Sequence, residues 1–117
     1  MSKSIVYEKS CLFSIAIIKL YKQLQGKKEY VLSKQILRSG TSIGANIAES
    51  ISAHSKKEFL CKLNIALKEA RETQYWLTIL QESHFVDLNY SPYFQEIEAL
   101  IKILCSSTKT IKEQLNE

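Results

Sequence analysis

Two histidines, three cysteines and twelve acidic residues are the groups in this chain of 117 residues that could hold a metal or move a proton. Their spacing does not assemble a site. His54 and His84 have no Cys, Asp or Glu at metal-ligand spacing on a shared helical face. A di-iron bundle needs Glu-x-x-His on two helices, and the nearest approach, Glu82 and His84, has the wrong spacing. No metal and no cofactor is therefore predicted. No GxxxxGK[ST], GxSxG or HExxH occurs, and Gly40 and Gly44 are followed by neither a lysine nor a strand-to-helix transition, which argues against phosphate-loop catalysis. Glu69 and Glu72 lie one helical turn apart, a spacing that acid–base chemistry can use, but Lys68 and Arg71 interleave them and the segment reads as a solvated face. No catalytic residue is assigned, and the chain reads as a non-enzyme.

The remaining polar groups suggest binding. Arg38 and Glu49 are eleven residues apart, close to three helical turns, so they project from nearly the same side about 16 Å apart, with Asn46 one turn before Glu49. Gly40, Gly44 and Ala48 form a strip of small residues beside them. Near an interface these polar groups must be paired and would set register; the alternative is that all three point into water. The second group is basic: Lys19, Lys22, Lys27, Lys28 and Lys34, interleaved with Tyr21 and Tyr30 and followed by Arg38. These five lysines are the candidate nucleic-acid contacts. A single weak patch binds polyanions poorly at physiological salt, and repetition around a symmetric oligomer would strengthen it through multivalency. Lysine-rich helix ends that simply face water are the competing reading.

The formal net charge of +4 is modest, but it is unevenly distributed. Residues 1–38 carry eight Lys or Arg against Glu8 and Glu29, whereas residues 73–117 carry three Lys against six acids. Folding the chain back on itself can turn that asymmetry into a basic face.

What must position these groups is helical. The composition is 45% hydrophobic and 24% charged with three Gly and one Pro, which is globular and poor in the residues that sheets and long loops need. A first helix is predicted from about Ser4 to Gln25, stopped by Gly26 and the charged Lys27, Lys28 and Glu29, with Val6, Phe13, Ile17, Leu20 and Leu24 as its core stripe. Ile15 and Ile18 fall on nearly the opposite face, so this helix has a second apolar side available to another subunit. Leu32, Ile36, Ile43, Ile47 and Ile51 keep a helical stripe through Ser39-Gly40-Thr41-Ser42, residues that in isolation favour a turn. Continuity is favoured over a break near Gly40, because the small-residue strip would give the glycines a packing role; Leu at Gly40 or Gly44 would then overpack by about 1–3 kcal/mol.

Ser55-Lys56-Lys57-Glu58 is a capping box that opens a third helix reaching about Ser83. Its seam is Phe59, Leu63, Ala66, Ala70, Thr73, Leu77 and Leu80, widened by Leu60 and Leu67. Ser91 as cap and Pro92 at the first helical position open a fourth, with Ile97, Leu100, Leu104, Thr108, Ile111 and Leu115 as its stripe. Four such helices with short connections predict an all-α, antiparallel up-down-up-down four-helix bundle, one domain over residues 1–117.

Cys11, Cys61 and Cys105 form an odd set without CxxC spacing, which suits a reducing, cytoplasmic setting. The apolar stretch from Cys11 to Ile18 is followed by Lys19 and Lys22 and no cleavage site, so it is not read as a signal peptide. No run reaches membrane-spanning length, and no membrane role is predicted.

The segment from Leu32 to Glu49, with Gln35, Arg38, Ser42, Ile43, Asn46, Ile47 and Glu49, resembles the signature of the 23S rRNA intervening-sequence protein family. The run from Lys62 to Leu77 is similar to that family as well, and Ser50 departs from it where the family usually carries Gly. The resemblance implies a four-helix bundle that assembles as a homopentameric ring, with Gln35, Arg38, Ser42, Asn46 and Glu49 as motif and interface residues. It also implies a distant similarity to the accessory variability determinant proteins of diversity-generating retroelements, whose basic pentamers bind nucleic acid and a reverse transcriptase. The combined reading is an oligomeric bundle with RNA or DNA, and a further protein, as partners. The alternative is a protein-interaction or structural module without nucleic-acid affinity.

Overall fold

The computed structural model describes residues 4–116, which form four helices: α1 (Ile5–Gly26), α2 (Leu32–Ile51), α3 (Lys56–Ser83) and α4 (Ser91–Leu115). Each boundary has a local cause. The Ser4 hydroxyl accepts the Tyr7 N–H at 3.1 Å and caps α1. Gly26, expected to stop that helix, is its last residue and has no positive φ; the left-handed position falls instead on Lys28, at φ 67°. The Lys28 N–H donates to the Gln25 carbonyl and the Glu29 N–H to that of Leu24, the paired bonds of a Schellman end.

Glu29, read from sequence as part of the charged stop, is buried at 6% exposure and serves as the cap of α2. Its carboxylate accepts the N–H groups of Val31 (3.2 Å), Leu32 (3.0 Å) and Ser33. Three donors that a helix start leaves without partners are thereby satisfied, and the negative charge sits at the positive end of the helix dipole. α2 then runs unbroken through Gly40. The hydroxyls of Thr41 and Ser42 donate back to the Leu37 and Arg38 carbonyls at 2.7 and 2.6 Å, which accommodates these turn-forming residues within the helix. Ser50 is buried, and its hydroxyl donates to the Ile47 carbonyl at 2.6 Å.

The capping box at α3 forms with one change. Ser55 Oγ accepts the Glu58 N–H at 3.0 Å, while the Glu58 carboxylate reaches the N–H of His54. At α4 the prediction is off by one residue: Ser91 already lies in the helix, Tyr90 holds the cap position, and Asn89 Oδ1 accepts the Ser91 N–H at 3.1 Å. Pro92 still lies in the first turn, where its missing N–H costs nothing.

Cross-helix contacts fix the directions. Gln25 meets Ser33 while Gly44 lies against Ser10 and Ser14, so α1 and α2 run antiparallel. Arg38 meets Glu72 and Glu49 meets Lys62, which gives the same result for α2 and α3. Lys56 meets Gln114 and Arg71 meets Cys105, which extends it to α4. α1 also packs on α4 and closes the bundle, whose extents are 50 × 22 × 20 Å. The core is built from the residues the periodicity selects, among them Phe13, Ile17, Ile36, Ile43, Leu77 and Leu104. Leu115, assigned to the last stripe, is exposed at the last residue of α4. No helix of the described residues is long and apolar enough to cross a membrane.

Candidate nucleic-acid interface

Two sets of polar residues were singled out, and the fold treats them differently. In the first set, Arg38, Glu49 and Asn46 do share a side of α2, and Arg38 and Glu49 both face α3. Arg38 Nη1 lies 3.3 Å from Glu69 Oε1, and Nη2 bonds Glu72. Glu72 also accepts the Trp76 Nε1–H at 3.0 Å. Glu69 and Glu72 are therefore not the free solvated acids their interleaving with Lys68 and Arg71 suggested; they hold a cation from the neighbouring helix. Eleven residues along, Lys62 Nζ donates to Glu49 Oε1 at 2.9 Å, and this bond holds the Lys62 ammonium above its ordinary pKa. Asn46 Nδ2 donates to the Ser42 carbonyl at 2.9 Å within α2, and Gln35 is exposed. The motif thus supplies two ion pairs that pin α2 to α3, with buried Ser39 and Thr73 hydroxyls 2.9 Å apart beside the Arg38 pair.

The strip of small residues faces α1 at its first two positions. A Cβ at Gly40 would stand 3.0 Å from both γ carbons of Ile17, and one at Gly44 would stand 3.2 Å from the Ser10 hydroxyl. Ala48 is exposed. Ser10, absent from the apolar pattern, is fully buried, and its hydroxyl donates to the Tyr7 carbonyl at 2.7 Å. A small polar residue fits there because its own helix satisfies it.

The second set lies at the end of the bundle where α1 turns into α2. Lys19, Lys22, Lys27, Lys28 and Lys34 are all exposed, and none of the ion pairs among the described residues uses them. The acid closest to them in sequence, Glu29, is committed to the α2 start, and the next one along the chain, Glu49, to Lys62. Of the two tyrosines interleaved with the lysines, Tyr21 is half-buried, whereas Tyr30 is 51% and its neighbour Val31 71% exposed. The outer face of α1 leads toward this end. Leu12, Ile15 and Ile18 are 67%, 52% and 40% exposed, and Lys19 and Lys22 continue the same face one turn later.

The opposite end of the bundle offers little reaction chemistry. A cleft of about 350 Å³ between the helix termini is lined by apolar groups such as Ile47, Phe59 and Leu63 and by the hydroxyls of Ser50, Ser106 and Thr110, with no ionisable side chain. Cys11, Cys61 and Cys105 are free thiols. Arg71 donates to Cys105 Sγ at 3.3 Å. Among the described residues no three His, Cys, Asp or Glu gather as a metal cluster.

Comparison with known proteins agrees with the fold as a whole. A family model described as 23S rRNA-intervening sequence protein matches residues 2–106. The crystal structure of a protein of unknown function from the S23 ribosomal protein family of Bacteroides thetaiotaomicron VPI-5482 superimposes with a TM-score of 0.85 and 47% sequence identity, covering 90% of this chain and 99% of that one. No curated protein matches the chain.

Proposed function

The chain belongs to the 23S rRNA-intervening sequence protein family, and on that premise we propose that it is a non-enzymatic, self-associating cytoplasmic bundle that binds RNA or DNA through its five unpaired lysines. The observation that carries this reading is the contrast between the two sets of cations. Arg38 and Lys62 are neutralised by acids of a neighbouring helix, while Lys19, Lys22, Lys27, Lys28 and Lys34, spread over the second half of α1, the turn and the start of α2, are exposed and enter none of the ion pairs among the described residues. Unpaired cations on one surface give a polyanion its affinity, because each neutralised phosphate releases condensed counterions.

Self-association supplies what one copy lacks. Leu12, Ile15 and Ile18 form an apolar outer face on α1 that a monomer gains nothing by exposing, and five copies of a patch bind far more tightly than one. The homopentamer implied by the family resemblance is the form we propose. The same apolar face supports a second reading, a protein-interaction scaffold with no nucleic-acid affinity.

Light scattering of the protein with and without a short mixed-sequence RNA tests both. A ring of several chains that gains mass with RNA at about 0.05 M salt and loses it at about 0.2 M supports the leading reading. A ring indifferent to RNA at every salt concentration supports the scaffold, and a monomer indifferent to RNA removes both.

A further inference from the structure

We infer that the tip between α1 and α2 is a reader of unpaired bases, with Tyr30 as a stacking platform and Lys27, Lys28 and Lys34 holding the phosphates on either side of it; this rests on the nucleic-acid reading above and narrows it to single strands.

The chain of residues from Lys27 to Val31 is short and locked at both ends. On the α1 side, the Schellman bonds from Lys28 and Glu29 tie it to Gln25 and Leu24. On the α2 side, the buried Glu29 carboxylate grips the N–H groups of Val31, Leu32 and Ser33, and the Ser33 hydroxyl returns a bond to the Glu29 carbonyl at 2.8 Å. Glu29 turns inward between these anchors, and Tyr30 and Val31 turn outward. A ring of this size half in water on a backbone that has little freedom left to lose suits contact with a flat partner, because binding orders nothing further.

Every nucleobase has a π face, and base–aromatic stacking is tolerant of sequence. In duplex nucleic acid those faces are already stacked on one another. A tyrosine at a protruding tip therefore selects for strands whose bases are free, while the lysines would take phosphates from either form. The backbone at Lys28 points the same way. At φ 67° it occupies the left-handed region, where glycine fits without strain and other residues are disfavoured. A cation stands there although glycine would make the turn more easily, and the turn gains a charge beside the tyrosine.

The other loop at this end supplies a control. Phe85 is 65% exposed beside His84, but Glu82 and Asp87 flank it in sequence, and phosphates would be repelled there.

The test compares binding of oligouridylate and of a duplex of the same length to the full chain at about 0.05 M salt. Tyr30→Ala is expected to weaken oligouridylate binding about tenfold with the salt dependence unchanged, and to leave duplex binding alone. Tyr30→Trp should restore it, with the added fluorescence quenched on binding, and Phe85→Ala should change nothing. Lys28→Gly should weaken both ligands and flatten the salt dependence, since a charge is lost from a turn that tolerates glycine. Unchanged melting temperatures at Tyr30 establish that folding is intact. If wild-type protein binds oligouridylate and Tyr30→Ala binds equally well, or single strand and duplex lose alike, the stacking tip is wrong and the lysine surface stands. If wild-type protein binds neither ligand at low salt, both fall together.

Discussion

Substitution of alanine at Gly40 and at Gly44 should have opposite outcomes, though each replaces a helical glycine with the best helix former. In a helix interior that exchange stabilises by about 0.5–1 kcal/mol. At Gly40 the new Cβ would stand 3.0 Å from Cγ1 and Cγ2 of Ile17 and 3.4 Å from its Cβ. Ile17 is fully buried, and its branched side chain has one comfortable χ1 in a helix, so α1 and α2 must separate to admit the methyl. Overpacking of this kind costs about 1–3 kcal/mol and outweighs the propensity gain, leaving Gly40→Ala less stable by about 1 kcal/mol. At Gly44 the new Cβ would meet the Ser10 and Ser14 hydroxyls at 3.2 and 3.4 Å and Ser10 Cβ at 3.5 Å, a milder crowding that a shift of a few tenths of an ångström relieves while Ser10 keeps its bond to Tyr7, so Gly44→Ala should be neutral or more stable by about 0.5 kcal/mol. The assay is urea denaturation at fixed protein concentration, since self-association shifts apparent stability. Ile17→Ala removes the opposing γ carbons, so its cost should fall by about 1 kcal/mol in the Gly40→Ala background. A Gly40→Ala variant as stable as wild type, or two glycine variants that shift alike, would refute the argument.

Other consequences can be checked in the same preparations. Glu29→Ala leaves three amides without an acceptor and should cost about 2 kcal/mol, with hydrogen exchange accelerated at Val31, Leu32 and Ser33 before the rest of the bundle. Tyr90 donates its hydroxyl to the Val86 carbonyl at 2.8 Å, and burial, with Asp87 and Glu29 nearby, pushes its pKa above 10. The neutral phenol is thus the form that the fold favours. Its contribution is complete below the unfolded value near 10 and is lost as pH rises through the higher folded value, so Tyr90→Phe should cost about 1 kcal/mol at neutral pH and soften the alkaline loss of stability. Tyr93 and Lys62, both shifted upward, keep part of that alkaline loss. Finally, Arg38→Ala should leave RNA affinity nearly unchanged, because its guanidinium is already committed to Glu69 and Glu72, whereas Lys34→Glu should weaken binding severalfold and reduce its salt dependence; equal effects would mean the two sets of cations are not distinct.

The helices and most of the core are legible in the sequence because burial follows a 3.6-residue period, and Ile17, Ile43, Leu77 and Leu104 are where that period puts them. Continuity through Gly40 is legible for the same reason: the stripe from Ile36 to Ile47 keeps phase across it. What escapes the pattern are residues whose role depends on a bond. Glu29 looks like one charge in a charged turn, and only the path of the backbone brings its carboxylate onto three amides. Ser10 breaks an apolar stripe yet is buried, since its hydroxyl is satisfied by Tyr7. Glu69 and Glu72 sit among basic residues on their own helix and look solvated; their partner, Arg38, is more than thirty residues away and comes near only when α2 folds against α3. A signal was available there, because Arg38 and Glu49 on one face of α2 find complementary charges at Glu72 and Lys62 on α3 in antiparallel register.

The proposed self-association and polyanion binding would place compatible demands on α1. Its outward face changes character along its length, from Leu12, Ile15 and Ile18 to Lys19 and Lys22. A copy seated on the apolar half would leave the basic half at the rim of the contact, where charge remains hydrated and available to phosphate. The buried part of an interface excludes unpaired charge, and a rim tolerates it. The two functions should therefore separate by mutation on a single helix. Ile15→Glu should dissociate the assembly while each copy keeps its melting behaviour in dilute solution, and the loss of RNA affinity that follows should come from lost multivalency. Lys22→Glu should leave the assembly's mass intact and lower RNA affinity directly. If Ile15→Glu leaves both mass and affinity untouched, the outer face of α1 is not the contact between copies.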